Sequence, residues 1–302
     1  MNLREYLLDE IAEDAELGYL SPEEASRRMA MFEGGLPVGS APTDDPVPAA
    51  ARPGDGSATR PDAAAVVTAD DPLIDTSESA LSGERAVGYY LVRPRGGDAP
   101  GVLLIHENRG LTPYIKDVAR RLGRLGYVVL APDLLWGSGG TEAFSDSAGV
   151  TAALGAREPD DMLADLRAAF AALGEIDGVR AARRGALGFC FGGGMAWRLA
   201  TKEPELAAVV AFYGPNPPLD DVPNIAAPVL GIYGEHDARV NSGIDAIKDA
   251  MSRAGKVFDC ALFEGAQHAF HNDTNPDRYN ATAAALAWDR ATSWLDRYLN
   301  AS

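Results

Sequence analysis

Apolar positions change their rhythm twice along this chain of 302 residues. Over residues 1–33 they keep helical spacing, with Leu3, Leu7, Leu8, Ile11 and Ala15 in step until Gly18 breaks the run. Ser21-Pro22-Glu23-Glu24 then opens a second helix: a serine cap, a proline in the first turn and a glutamate three residues after the cap. Residues 34–82 hold no period and are rich in Pro, Ala, Gly, Ser and Asp, which predicts a linker, extended or partly disordered. From residue 83 onward, short apolar runs alternate with amphipathic stretches. The runs at 86–92, 101–106, 127–130, 185–189, 207–213, 228–233 and 257–263 predict strands. The stretches at 113–125, 160–173, 195–200, 244–254 and 279–299 predict helices. Continuous apolar strands alternating with helices predict an α/β domain over 83–302, a mostly parallel sheet with helices on both faces.

Composition narrows the setting. The hydrophobic fraction of 46% suffices for a large core, and no apolar run is long enough to cross a bilayer. The net charge of −17 argues against nucleic-acid partners and anionic membrane surfaces. Most of it belongs to residues 1–82, whose 17 acidic and 5 basic residues leave −12, so it says little about the domain that follows. Two cysteines, Cys190 and Cys260, make no disulfide framework. Arg27-Arg28 lacks the apolar core that an export signal needs, and acidic residues precede it, so a cytoplasmic location is expected.

Chemistry enters at Gly188-Phe189-Cys190-Phe191-Gly192-Gly193. A nucleophile between glycines, after an apolar strand and before a helix, is the elbow of an α/β-hydrolase with cysteine in the serine position. The turn strains the nucleophile's backbone, and the crossing chain leaves no room for side chains at Gly188 and Gly192. The sulfur lies at a helix N-terminus, where the dipole favours thiolate. A thiol nucleophile needs a base, and the base an orienting carboxylate, in the chain order nucleophile, acid, histidine. Asp237 follows the apolar run 229–233, with Glu235 as the alternative acid. His268 follows the last strand, and the turn Gly265-Ala266-Gln267 before it favours it over His271. His106, at a strand end, reads as a core imidazole, and Cys260 as core packing.

These motifs carry a resemblance. Residues 83–302 resemble the dienelactone hydrolase family, the cysteine branch of the α/β-hydrolases. The matching segments run in order through His106-Glu107-Asn108-Arg109-Gly110, Ala131-Pro132-Asp133-Leu134, 188–193, Phe212-Tyr213-Gly214, Gly234-Glu235-His236-Asp237 and 265–270. The resemblance implies that Glu107 contacts the resting thiol and helps to deprotonate it when substrate arrives. It also implies an oxyanion hole of two backbone N–H groups, those of Phe191 and Asn108. Arg109, Tyr213 and Trp136 are candidate substrate contacts. The sequence departs from the family where two arginines would hold a substrate carboxylate: Gly137 and Asn272 stand there instead, with Arg109 and Arg278 as candidate replacements.

The expected activity is therefore cysteine-dependent hydrolysis of a small lactone or carboxylic ester through a thioester, with no metal and no organic cofactor. A non-catalytic module with a redox- or ligand-sensing Cys190 is the alternative from another class, and an acyltransferase or peptidase on the same triad is a third. The expected partner is a small-molecule ester or lactone, with neither nucleic acid nor membrane. The helical pair in 1–33 needs a surface to cover. A lid over the active site and a homodimer through the extension both meet that need.

Overall fold

A computed structural model describes residues 3–32, 66–82 and 86–300, and residues 34–65 of the expected linker lie outside the described residues. The chain opens with α1 (Leu3–Glu16) and α2 (Pro22–Met31). As the capping pattern requires, the Ser21 hydroxyl accepts from the Glu24 N–H at 3.1 Å. The strands β1 (Ile74–Ala80), β2 (Gly88–Pro94) and β3 (Ala99–Ile105) follow, then α3 (Pro113–Arg124) and β4 (Val128–Asp133). Next come α4 (Ser147–Gly155), α5 (Pro159–Gly174), β5 (Val179–Phe189), α6 (Phe191–Ala200) and β6 (Ala208–Phe212). The chain continues through β7 (Val229–Gly234), α7 (Ala238–Asn241), α8 (Ile244–Arg253), β8 (Phe258–Phe263) and α9 (Ala281–Leu299).

Among the described residues, eight strands form one sheet in the order β1-β2-β4-β3-β5-β6-β7-β8. The first two pairings are antiparallel and the remainder parallel. Every residue of β3, β4, β6 and β7 is buried, so both faces of the central sheet are covered. This is the expected α/β-hydrolase architecture with a helical N-terminal extension.

The structure corrects the linker boundary. β1 falls inside the stretch read as linker, and Val67 is already docked, its N–H donating to Asp117 at 2.7 Å. β1 reads Ile-Asp-Thr-Ser-Glu-Ser-Ala and only Ile74 is buried, because among the described residues it is an edge strand that pairs β2 on one side alone. A strand with no apolar face gives no period-2 signal. The helix α4 is likewise absent from the sequence pattern: it is small, apolar on all sides and buried from Ala148 to Leu154.

The extension folds back onto the domain. The Phe32 ring lies over Gly155, where a Cβ would come within 2.2 Å of it, and Arg27 faces Asp146 at the cap of α4. Tyr6, Leu7 and Ile11 on α1 are buried. Burial of this kind stabilises by roughly 1.5–3 kcal/mol per large side chain, and it seats α1 across the C-terminal ends of β5, β7 and β8, where the chemistry lies. Among the described residues, no helix is long and apolar enough to cross a membrane.

Candidate active site

Cys190 joins β5 to α6 in a backbone conformation that L-residues rarely adopt, with φ 55° and ψ −120°. The neighbouring glycines make it attainable. A Cβ on Gly188 would lie 2.0 Å from the Gly192 carbonyl oxygen, and one on Gly192 would lie 2.4 Å from that of His106. Cys190 donates its N–H to the Phe212 carbonyl at 2.9 Å, and its own carbonyl accepts from Gly194 at 3.1 Å to start the helix. The N–H of Phe191, the first residue of α6, belongs to the helix's unpaired first turn.

His268 and Asp237 reach this point from the ends of β8 and β7. His268 Nδ1 donates to Asp237 Oδ2 at 2.6 Å, which leaves Nε2 on the side of the thiol. Asp237 is fully buried and also serves the helix that follows it, since its Oδ1 accepts from the Val240 N–H at 3.2 Å and caps α7. One carboxylate thus both holds the imidazole and caps the helix. Glu235 points elsewhere, accepting from the Gly265 N–H at 2.8 Å. Burial works against charge on His268, but Asp237 and the thiol outweigh it and hold its pKa well above the ordinary value. Burial likewise opposes the charge of Asp237, and the imidazole more than compensates, leaving its pKa lowered.

Two of the other histidines, His106 and His271, are structural. His106 donates from Nδ1 to the Glu107 carbonyl at 2.6 Å and accepts at Nε2 from the Leu134 N–H at 3.2 Å, so both nitrogens are satisfied. His271 is buried among Phe189, Phe212 and Trp288 and pairs with the Tyr114 hydroxyl at 2.7 Å. Burial, with Arg121 adding to it, lowers the pKa of His271 to about 3. An unfolded histidine takes up a proton near pH ~6.5, so between about pH 6.5 and pH 3 the unfolded chain binds more protons than the folded one. Stability contributed by neutral His271 is full above that window and falls by up to about 1.4 kcal/mol per pH unit inside it. Urea denaturation at about pH 7 and about pH 4.5, on either side of that onset, should show a smaller acid loss for His271→Gln than for wild type.

Glu107 departs from the expected arrangement. Its Oε2 accepts from Asn272 at 2.8 Å, and its Oε1 is buried without a hydrogen-bond partner among the described residues. Burial pushes its carboxyl upward, against the pull of Arg109. The carboxylate on the resting thiol is that of Glu10, from α1, with each oxygen 3.7 Å from Sγ. Tyr6 adds its hydroxyl at 3.6 Å. Burial and then Glu10 raise the thiol's pKa, while His268 acts in the opposite direction. Nothing in the sequence points to Glu10 or Tyr6, which lie some 180 residues away along the chain.

Acidic side chains of α1 also take up the nearby arginines. Glu13 pairs with Arg239 at 2.9 Å, Asp14 pairs with Arg278, and the Tyr19 hydroxyl bonds Gln267 beside His268. The Arg239 and Arg278 guanidinium groups lie 4.3 and 4.4 Å from the ring centres of Tyr6 and Tyr19. A cavity of about 40 Å³ remains over Cys190, between Glu10 and Asp14 on one side and Glu107, Asn108, Arg109 and Arg278 on the other. Asn108 is pinned there by the Thr151 hydroxyl on its carbonyl at 3.1 Å.

Of the candidate substrate contacts, Arg109 borders this cavity and two others do not. Tyr213 is fully buried and packs behind the His268 ring, with 5.1 Å between centroids. Trp136 is 43% exposed and seated over Gly88, where a Cβ would lie 2.1 Å from its ring, and it does not line the cavity over Cys190. Gly137 follows it into the same outlying turn. Asn272 holds Glu107 in place of a family arginine.

Comparison with known proteins identifies the family of the domain. A model of the dienelactone hydrolase family matches residues 87–299. A protein of Methylorubrum extorquens named "Putative carboxymethylenebutenolidase" is 35% identical over 222 residues, covering 70% of this chain and 76% of its own length. A Bradyrhizobium protein named "Probable 2-oxo-3-(5-oxofuran-2-ylidene)propanoate lactonase" is 32% identical over 75% of this chain and 95% of its own. Among solved structures, a Klebsiella pneumoniae protein described as a putative dienelactone hydrolase superposes with a TM-score of 0.69 at 28% identity, covering 74% of this chain and 99% of its own. The dienelactone hydrolase-like promiscuous phosphotriesterase P91, from metagenomic libraries, gives 0.67 at 25%, covering 75% and 99%. The extension precedes the family match. With the sheet, the elbow and the family model in agreement, the chain belongs to the dienelactone hydrolase family and is a hydrolase on that ground.

Proposed function

We propose that this protein hydrolyses a small lactone or carboxylic ester through a thioester on Cys190. The observation that carries the reading is the strained, helix-capping Cys190 set beside a histidine whose far nitrogen is held by a buried aspartate. His268 takes the thiol proton, and the sulfur adds to the carbonyl carbon. The oxyanion is received by the backbone N–H groups of Phe191 and Asn108. Collapse breaks the carbon–oxygen bond, and His268 returns the proton to the leaving oxygen. A water, deprotonated by His268, then adds to the thioester and expels the thiol. Glu107, held by Asn272 beside Arg109, assists the first deprotonation.

The closed arrangement sets a condition on this cycle. A cavity of about 40 Å³ holds a few waters and not an ester, so α1 leaves before substrate binds. Its departure also removes the Glu10 carboxylate, which opposes ionisation of the thiol. Two unpaired cysteines suit a reducing, cytoplasmic setting.

The test is acid-quenched turnover with p-nitrophenyl acetate, p-nitrophenyl butyrate, a neutral lactone, a dienelactone and a phosphotriester, followed by peptide mass spectrometry. An acyl adduct on the Cys190 peptide with an ester or lactone is the expected result. Ester turnover with no adduct there would sink the thioester route. A sensing module predicts no turnover of any of these compounds, even after α1 has been released by Glu13→Lys/Asp14→Lys.

A further inference from the structure

Glu10, Cys190 and His268 come from three distant parts of the chain, and their donor atoms lie within 4.8 Å of one another. Both Glu10 oxygens are 3.7 Å from the sulfur, and Oε1 is 3.9 Å from His268 Nε2. All three residues are buried. Hydrogen bonding accounts for only part of this arrangement, since Nε2 is buried and has no hydrogen-bond partner among the described residues.

We propose that Glu10, Cys190 and His268 form a binding site for a zinc-class divalent cation, which locks α1 over the thiol and holds the protein inactive. The inactivation rests on the hydrolase reading, but the site itself does not, because binding is measured without turnover.

The donor set selects the ion. A thiolate, an imidazole nitrogen and a carboxylate suit zinc, whereas magnesium and calcium prefer all-oxygen sets. Zinc bonds of about 2.3 Å to sulfur and about 2.0–2.1 Å to nitrogen and oxygen, at tetrahedral angles, place the donors roughly 3.3–3.6 Å apart. The present 3.7 and 3.9 Å separations need only a few tenths of an ångström of contraction. Charge favours the same ion. A thiolate beside the Glu10 carboxylate is a repelling pair that a 2+ cation neutralises. His268 is already prepared, with Nδ1 donating to Asp237 at 2.6 Å. That is the carboxylate–histidine pairing that orients imidazole ligands toward metals. On binding, bonds from the metal to the sulfur and to Nε2 replace the S–H bond and the N–H bond of a protonated Nε2, those protons pass to solvent, and no electrons are transferred. The ion occupies nucleophile and base together.

The site differs from a bare cysteine–histidine pair because the third donor rides on a helix outside the family match. Zinc affinity therefore depends on whether α1 is docked.

The experiment titrates the full chain with Co²⁺ and then Zn²⁺, following thiolate-to-cobalt absorption and bound metal. One equivalent of Co²⁺ should give a thiolate band that Zn²⁺ displaces and excess Mg²⁺ does not. Glu10→Gln should weaken Zn²⁺ binding about tenfold or more. Glu13→Lys/Asp14→Lys, which keeps all three donors but undocks α1, should weaken it as much, and Cys190→Ala should abolish the band. Equal Zn²⁺ affinity in wild type and Glu10→Gln would overturn the proposal, since the ion would then rest on cysteine and histidine alone. Bound cobalt without a thiolate band, displacement by Mg²⁺, or no binding would overturn it as well.

Discussion

Cys190→Ala should lower ester or lactone turnover at least about a thousandfold while leaving the fold intact. Loss of a nucleophile leaves only binding and oxyanion stabilisation, and triads lose activity on that scale when one member is removed. The substitution removes one sulfur and keeps the Cβ, so Tm should shift by only a few degrees. Cys190→Gly supplies a sharper form of the same test. At φ 55° and ψ −120° any side chain carries strain, of order ~1–3 kcal/mol. Glycine relieves it, against an entropic cost of up to about 1 kcal/mol. Cys190→Gly should therefore be at least as stable as Cys190→Ala in urea denaturation, the reverse of the usual order, and equally inactive. A glycine variant less stable than the alanine one would mean that the elbow is not strained. Residual activity above about one hundredth of wild type in either variant would remove Cys190 as the nucleophile.

Undocking α1 should have the second-largest effect. Glu13→Lys/Asp14→Lys turns two ion pairs, with Arg239 and Arg278, into like-charge contacts at side chains that are mostly sheltered from solvent. Sheltered pairs are worth more than the roughly 0–1 kcal/mol of exposed ones. A combined shift of roughly 2–3 kcal/mol multiplies the open population by roughly 30–150. Iodoacetamide labelling of Cys190, read by peptide mass spectrometry with half-buried Cys260 as internal reference, should accelerate by that factor. kcat/KM should rise with it. Unchanged labelling would show that α1 already moves freely. Faster labelling with lower activity would make α1 part of the working site and not its cover.

The sequence and the structure meet at the elbow and part at the extension. Gly188, Cys190 and Gly192 are legible because a tight strand-to-helix turn admits few residue types and all three lie close together in the chain. Asp237 and His268 are legible because chain order and strand ends restrict the choice. β1 is hidden by its exposure, since a strand with one buried residue reads as polar chain. The sheet order, with β4 between β2 and β3, leaves no trace in local patterning. Tyr213 and Trp136 are aromatic residues near active-site motifs, and only packing shows one behind the histidine and the other over Gly88. Glu10 is the clearest case. It is one of six acidic residues in α1, and its role arises from a fold-back that only tertiary structure brings about.

Asp237 joins two functions that could in principle reside in separate residues. Because one carboxylate both orients His268 and caps α7, its loss would cost activity and local folding in the same step. A lineage that moves its acid to another strand must acquire a new helix cap at the same time, or pass through an intermediate that is weaker in both respects. Transplanting the acid by design faces the same double requirement, and a serine or asparagine left at 237 would meet the helical half of it while freeing the other half to move.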